Sequence, residues 1–192
     1  MSLCKKKRYF KYTQLILFCV ICFASCRSAE GDRRPFVYLT NKAKYLLLPA
    51  EEIEKPLDMP QFISAFYGGS EYYFNAWVRA DESRIEMILF NELGPTLGEL
   101  SYSGSDLYFS SRVFPASLKP EYIVADFQLC FYNPAALRRA LNNCGLVFES
   151  TGTKRRVLEG KKLIAEIEKT AGSVKLINHL RGYTYTLEGD FE

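Results

Sequence analysis

One histidine, His179, is all that the 192 residues offer for chemistry needing a base that titrates near neutrality. A Ser-His-Asp or Cys-His arrangement would have to be built around it, and no GxSxG elbow accompanies it. Its place, directly after Asn178 at the end of a strand-like run, reads as structural. Metal chemistry is excluded on similar grounds, because there is no histidine cluster and the one CxxC spacing, Cys19 to Cys22, lies in the apolar run near the start, with no CxxC pair in the rest of the chain. Gly68-Gly69 and Gly94-Pro95 are turns, since no GxxxxGKS/T follows, and no nucleotide site is visible. Asp126 and Glu121 stand five apart on a helix and do not face each other, which leaves one charge near a helix N-terminus and one buried or capping carboxylate. No cofactor is expected, and the chain reads as a binding protein rather than an enzyme.

Also missing is an apolar run of the roughly 20 residues needed to span a bilayer. What stands near the start is shorter. Leu15-Ile16-Leu17-Phe18-Cys19-Val20-Ile21-Cys22 follows the cationic Lys5, Lys6, Lys7, Arg8 and Lys11, as the h-region of a secretory signal follows its n-region. Phe23-Ala24-Ser25-Cys26 then resembles a bacterial lipobox, with small residues ahead of a thiol that takes a diacylglycerol, although Phe23 stands where an aliphatic residue is usual. The expectation is a leader over residues 1–25 and an acylated Cys26, which would tether the protein to membrane lipid; an ordinary signal cut near Ala24 or Ser25 is the alternative. Acyl chains supply about 0.8 kcal/mol for each buried CH₂, so the usual lipoprotein modification suffices for stable anchoring without a spanning helix.

Removing the leader changes the charge argument. Five of the 25 Lys and Arg residues lie within it and none of the 22 Asp and Glu residues do, so the remainder carries 20 − 22 = −2. The basic character of the precursor therefore belongs to targeting, and a nucleic-acid partner is not expected. The remaining length is that of one domain, able to bury about 70% of its unfolded surface without disulfide staples. Of the six cysteines, only Cys130 and Cys144 remain as thiols once the leader is gone and Cys26 is acylated; pairing and separate burial are both open to them.

Residues 26–35 are short, charged and contain Gly31 and Pro35, the composition of a tether, and residues 36–192 form the folded body. That body alternates Tyr-, Phe-, Val- and Ile-rich segments with turn chemistry at Gly68-Gly69, Asp81-Glu82-Ser83, Ser103-Gly104-Ser105-Asp106, Glu159-Gly160 and Ala171-Gly172. Strands are predicted over 44–48, 61–67, 72–80, 84–91, 97–102, 107–113, 146–149, 154–158, 162–170, 173–178 and 183–187, most neighbours pairing antiparallel. In 72–80 one face is wholly apolar, and Ile85, Met87 and Leu89 repeat the pattern. Tyr73, Trp77, Ile88 and Phe90 put bulk on the other face too, which calls for cover there. The candidate cover is the interruption at 119–145, where Ile123, Phe127, Cys130 and Phe131 recur at helical spacing. Asn133-Pro134 then opens a second helix that stops at Gly145. The fold class expected is mainly β with two helices, an open antiparallel half-barrel with a helical plug.

Several landmarks carry a resemblance: Tyr45-Leu46-Leu47-Leu48-Pro49, Gly94 to Leu97, Leu100, Tyr102 and Gly104, the stretch 120–129, Ala136-Leu137, and Asn178 with Gly182-Tyr183. In this order and spacing the chain resembles a family of uncharacterised bacterial outer-membrane lipoproteins similar to the LolA/LolB lipoprotein carriers. The resemblance implies an open barrel wrapped over helices, an apolar cavity able to take acyl chains, and placement on the periplasmic face of the outer membrane. It supplies no defined functional residues. From the residues themselves, Phe74, Val78, Met87 and Leu89 are the candidate cavity lining, with Phe127 and Phe131 closing its mouth around the acyl chain of an amphiphile or lipoprotein. Core filling by the same aromatics, and a structural or assembly factor that packs on a partner protein, is the competing reading. Phe114-Pro115-Ala116-Ser117-Leu118 reads either as a buried crossover or as a loop that dips into a bilayer.

Overall fold

The computed structural model describes residues 34–91, 94–115 and 118–191; the leader, Cys26 and all but the last two residues of the tether lie outside them. A small hairpin comes first, β1 (Phe36–Tyr38) and β2 (Lys44–Leu46), followed by one 3-10 turn at Ala50–Glu52. Five strands form a meander, β3 (Leu57–Tyr67), β4 (Ser70–Ala80), β5 (Ile85–Phe90), β6 (Thr96–Tyr102) and β7 (Leu107–Ser111). Two helices follow, α1 (Pro120–Phe131) and α2 (Pro134–Asn143). A second meander closes the body, β8 (Val147–Thr151), β9 (Lys154–Glu159), β10 (Lys162–Lys169), β11 (Ser173–Asn178) and β12 (Tyr183–Glu188).

The two meanders make one ten-stranded sheet in the order β7-β6-β5-β4-β3-β12-β11-β10-β9-β8. Every neighbour is antiparallel, β3 and β12 form the seam, and β7 and β8 remain unpaired edges, so the sheet is an open half-barrel. Helices α1 and α2 connect those edges and fill the concave side, where Val124, Phe127, Leu129, Leu137 and Leu141 join Val78, Ile85, Leu100, Val157, Ile167 and Leu176 in one core. Burying each such side chain contributes about 1.5–3 kcal/mol before the entropy of ordering it is subtracted.

Local chemistry explains the elements. Gly68 and Gly69 both have positive φ, +60° and +84°, as a two-residue turn between Tyr67 and Ser70 requires, and this makes β3–β4 a long tight hairpin. Asn133 caps α2 by accepting from the Ala135 and Ala136 amides at 2.8 and 3.4 Å, with Pro134 at the first helical position. A buried polar knot ties the N-terminal hairpin to α1: the Gln128 side chain donates to Leu48 O at 2.7 Å and accepts from Leu48 N and the Tyr45 hydroxyl, both at 3.0 Å. The Tyr102 hydroxyl lies 3.0 Å from both Leu48 O and Gly104 O. Gly104 is at φ +94° with its missing Cβ 3.3 Å from Pro49 Cα, so a side chain there would be strained and crowded. Much of the sequence pattern that carries the resemblance is thus spent on this knot.

Three departures from the expected pattern have physical causes. β3 extends back through Pro60 to Leu57, because β12 ends opposite Phe62 and strand β3 is an edge on that side at the proline. β1 is too short to show periodicity and exists by pairing with β2. The helices do not cover the second face of the sheet: they fill the concave side, while Tyr73, Trp77 and Ile88 stand exposed on the convex one.

Candidate functional site

The concave face of β3–β7 is built in rows across the sheet. Ala80 lies beside Ile85 and Tyr102, Val78 beside Met87 and Leu100, Ala76 beside Leu89 and Gly98, and Phe74 beside Ile63. Burial falls along this series toward the tip of the β3–β4 hairpin: Ala80 and Ile85 are fully buried, Phe74 and Ile63 are half-buried, and Tyr72 is exposed. Of the six residues singled out for a cavity, Val78, Leu89, Phe127 and Phe131 are packed in the core, and Phe74 and Met87 are half-buried against it. Phe127 and Phe131 lie together with ring centroids 4.8 Å apart. Phe131, however, faces the other half of the sheet, against Phe191 at 5.7 Å and with Lys169 Nζ 5.6 Å from its ring. The ring over Phe74 is Phe114, at 5.6 Å, which also meets Phe109 at 6.3 Å. Phe114 is therefore a half-buried crossover residue rather than an exposed tip.

Two polar features of this interior escape a reading by alternation alone. Gln61 sits on the concave side of β3 opposite Ala76, is 3% exposed, and its Nε2 has no hydrogen-bond partner. It is an amide donor held in an apolar wall. Arg155 points inward from β9 opposite Ile167, 3% exposed, and its guanidinium donates to Leu129 O at 3.0 Å, to Tyr132 O at 2.9 Å and to Glu54 Oε2 at 2.5 Å. It thereby satisfies carbonyls at the C-terminus of α1, where a cation is also favoured by the helix dipole. Lys169 reaches the same Glu54 oxygen at 3.5 Å, and burial lowers its pKa and that of Arg155. The only warning in the sequence was that Arg155 shares a strand face with Val157.

A buried carboxylate joins α1 to β12. The Tyr183 hydroxyl donates to Asp126 Oδ2 at 2.6 Å and accepts from Asn178 Nδ2 at 3.1 Å, while Asn178 Oδ1 accepts from the Arg181 amide at 2.9 Å. Arg181 continues to Tyr38 O and the Tyr122 hydroxyl, at 2.6 and 2.7 Å. Desolvation dominates at Asp126 and lifts its pKa to about 7, against the opposing effects of the Tyr183 hydrogen bond and the Arg181 charge. One turn on, Cys130 is a free thiol 3.9 Å from the Tyr185 hydroxyl, and burial pushes its pKa to about 12, which disfavours the thiolate. Cys144 is also free. His179 lies on the surface with Nε2 3.1 Å from Glu166 Oε1. Glu121, in the first turn of α1, is separate from Asp126, as their spacing implied. Along β6 and β7 runs a groove of about 260 Å³ lined by Thr96, Glu99, Ser110 and Arg112 among others, a polar surface unsuited to hydrocarbon.

The geometry is that of a half-barrel whose apolar interior is closed at one end and thins to half-buried aromatics at the other. Among the described residues no group of His, Cys, Asp and Glu side chains is placed to hold a metal ion, and no helix is long and apolar enough to cross a membrane. No match to the chain is found among curated proteins. Residues 58–189, from the second residue of β3 to just past the end of β12, match the family described as "protein of unknown function (DUF3261)". The stretch covered is the whole ten-stranded sheet with both helices, and the chain belongs to the DUF3261 family.

Proposed function

We propose that this protein is a lipid-anchored carrier of the cell envelope, held at the periplasmic face of the outer membrane through acylated Cys26. Its concave face takes the acyl chain of an amphiphile or a lipoprotein and hands it on without chemical turnover. The observation that carries this reading is the half-buried Phe74 under Phe114 at the thin end of an otherwise apolar interior, with Met87 and Phe109 half-buried deeper in the trough in the Val78 row. An acyl chain entering past Phe74 would run along Val78 and Leu89 toward Phe127, and the unpartnered Gln61 amide would meet a carbonyl or hydroxyl oxygen. The resemblance to LolA/LolB carriers supports the same reading by analogy of fold.

Protein purified from a lipid-containing host should carry extractable lipid seen by mass spectrometry, or bind a fluorescent fatty-acid probe at micromolar concentration, about 8 kcal/mol of affinity. Met87→Trp should abolish uptake by filling the trough, at a stability cost under about 1 kcal/mol if the site is hollow and about 1–3 kcal/mol if it is packed. A second reading is favoured by the low exposure of Val78, Leu89, Phe127 and Phe131: a non-catalytic assembly factor whose interior is filled by its own side chains. Absence of lipid, together with a large destabilisation by Met87→Trp, selects that reading.

A further inference from the structure

The convex face of the sheet changes character at the seam. On β8–β12 its exposed side chains include Lys154, Arg156, Glu168, Lys175 and Glu188, a surface made for water. On β3–β5 they include Phe62, Phe66, Tyr73, Trp77 and Ile88, each 40–59% exposed and adjacent across the register, with Phe90 half-buried beside them and Asp58, Glu71 and Arg79 at the margins. Two of these rings are held in place by carboxylates. The Tyr73 hydroxyl donates to Glu71 at 2.6 Å and Trp77 Nε1 to Asp58 at 2.8 Å, while Phe62 stacks on Tyr73 with centroids 6.0 Å apart. An ordered aromatic patch of this kind on an antiparallel sheet marks a surface that something covers.

The order of residues says what covers it. The outward side chains of β4 run Glu71, Tyr73, Asn75, Trp77, Arg79: acid, aromatic, amide, aromatic, base. Reversed, that series is complementary to itself. A two-fold axis lying across the strands at Asn75 sets a second copy antiparallel, with Glu71 on Arg79, Tyr73 on Trp77 and Asn75 on Asn75. The same axis puts Phe62 on Phe62 and Phe90 on Phe90, because both lie in register with Asn75. The other two-fold that stacks the faces, along the strands, puts Glu71 on Glu71 and Arg79 on Arg79, and like charges reject it. A bilayer is a poorer occupant, since Asp58, Glu71 and Glu86 outnumber Arg79 and Arg84 around the patch and an anionic leaflet repels the net negative border. We infer that the convex face of β3–β5 is the interface of a two-fold homodimer in which β4 strands pack antiparallel about Asn75. Facing sheets pack about 10 Å apart, a gap that Trp, Tyr and Phe side chains fill from both sides. The central amide pair acts as a register marker. This inference is independent of the carrier reading, which concerns the opposite face.

The test is thiol cross-linking of the full chain in the expressing cell, with a bismaleimide short enough to bridge sheets about 10 Å apart. Asn75→Cys should give a dimer-sized band well above that of the parent chain and of Lys161→Cys, an exposed turn position far from the patch. Glu71→Cys should give none with itself. Co-expressed Tyr73→Cys and Trp77→Cys copies should link to each other, which keeps the test open if the Asn75 variant folds poorly. In the Asn75→Cys background, Glu71→Arg or Arg79→Glu alone should lower the yield about fivefold, and the double reversal should restore it. The inference is overturned by a dimer band no stronger than that of Lys161→Cys, by self-linking of Glu71→Cys, by a double reversal no better than either single one, or by adducts mainly to another protein.

Discussion

Replacing Gln61 by Leu tests the interior most directly, because its sign depends on whether an unpartnered amide really sits in an apolar wall. Gln61 is 3% exposed, faces the concave side opposite Ala76, and leaves Nε2 without a hydrogen-bond partner. A buried donor left unmade costs about 1–3 kcal/mol, and leucine removes that cost while keeping most of the volume. After allowing about 1 kcal/mol for imperfect repacking, the net gain is about 0–2 kcal/mol. For a domain of this length each kcal/mol moves Tm by roughly 2–4 °C, so lipid-stripped Gln61→Leu should unfold no lower than wild type and up to roughly 8 °C higher by circular dichroism. The carrier reading adds an opposite effect on binding. Losing the donor that meets a ligand oxygen should weaken fatty-acid probe binding by about tenfold, equivalent to about 1.4 kcal/mol. A lowered Tm would refute the reasoning outright, since it would mean the amide is satisfied in the folded protein. A raised Tm with unchanged probe affinity would remove Gln61 from the site.

Cys26→Ala should leave an unprocessed precursor that takes no radioactive fatty acid; a wild-type chain that takes none either, or that fractionates as soluble, refutes the anchor. Asp126 gives a pH signature with a defined sign. Its folded pKa, about 7, lies above the unfolded value near 3.8, so its contribution to stability is present below about pH 4 and lost as pH rises to 7. The loss is about 4 kcal/mol at full shift, and Asp126→Asn should flatten that part of the profile relative to wild type in urea titrations from pH 4 to 8. Parallel profiles for the two proteins would show that Asp126 ionises normally. Arg155→Met strands the Leu129 and Tyr132 carbonyls and breaks the pair with Glu54, which is partly hydrated; a loss of about 3 kcal/mol in urea unfolding is expected, and one below 1 kcal/mol would mean that the α1 terminus finds other donors.

The succession of antiparallel hairpins and both helices were readable because turn chemistry punctuates this chain so regularly, whereas the β3–β12 seam carries no local signal. Gly68-Gly69 and Asn133-Pro134 specify backbone geometry that few other pairs accept. The site was less readable. Alternation separates the two faces of β4 but does not tell which half-buried rings will meet, and Phe114 reaches Phe74 only through the path of a crossover. Nor does it reveal that Phe131 turns toward Lys169 and Phe191, since that depends on how α1 lies in the trough. Arg155 and Gln61 look like surface residues by type, and each sits inside because its strand partners fix the phase. Pro60 misled in the other direction, as an edge hidden within a central strand.

The pairing of β3 with β12 fixes a timetable. Its registered residues, such as Phe62 with Glu188 and Phe66 with Thr184, are separated by most of the folded body. As the chain emerges, β3 to β7 can zip as local hairpins, yet β3 keeps a bare edge over Phe62 to Phe66 until the last strand has been made. During that interval the molecule is a five-stranded sheet with an open apolar trough and an aromatic back, the combination most prone to pairing with the wrong neighbour. A chain cut short before Tyr183 never leaves that stage. Truncation from the C-terminus should therefore be far more damaging to solubility than its few residues suggest, and the rate of seam closure should limit how fast native protein accumulates.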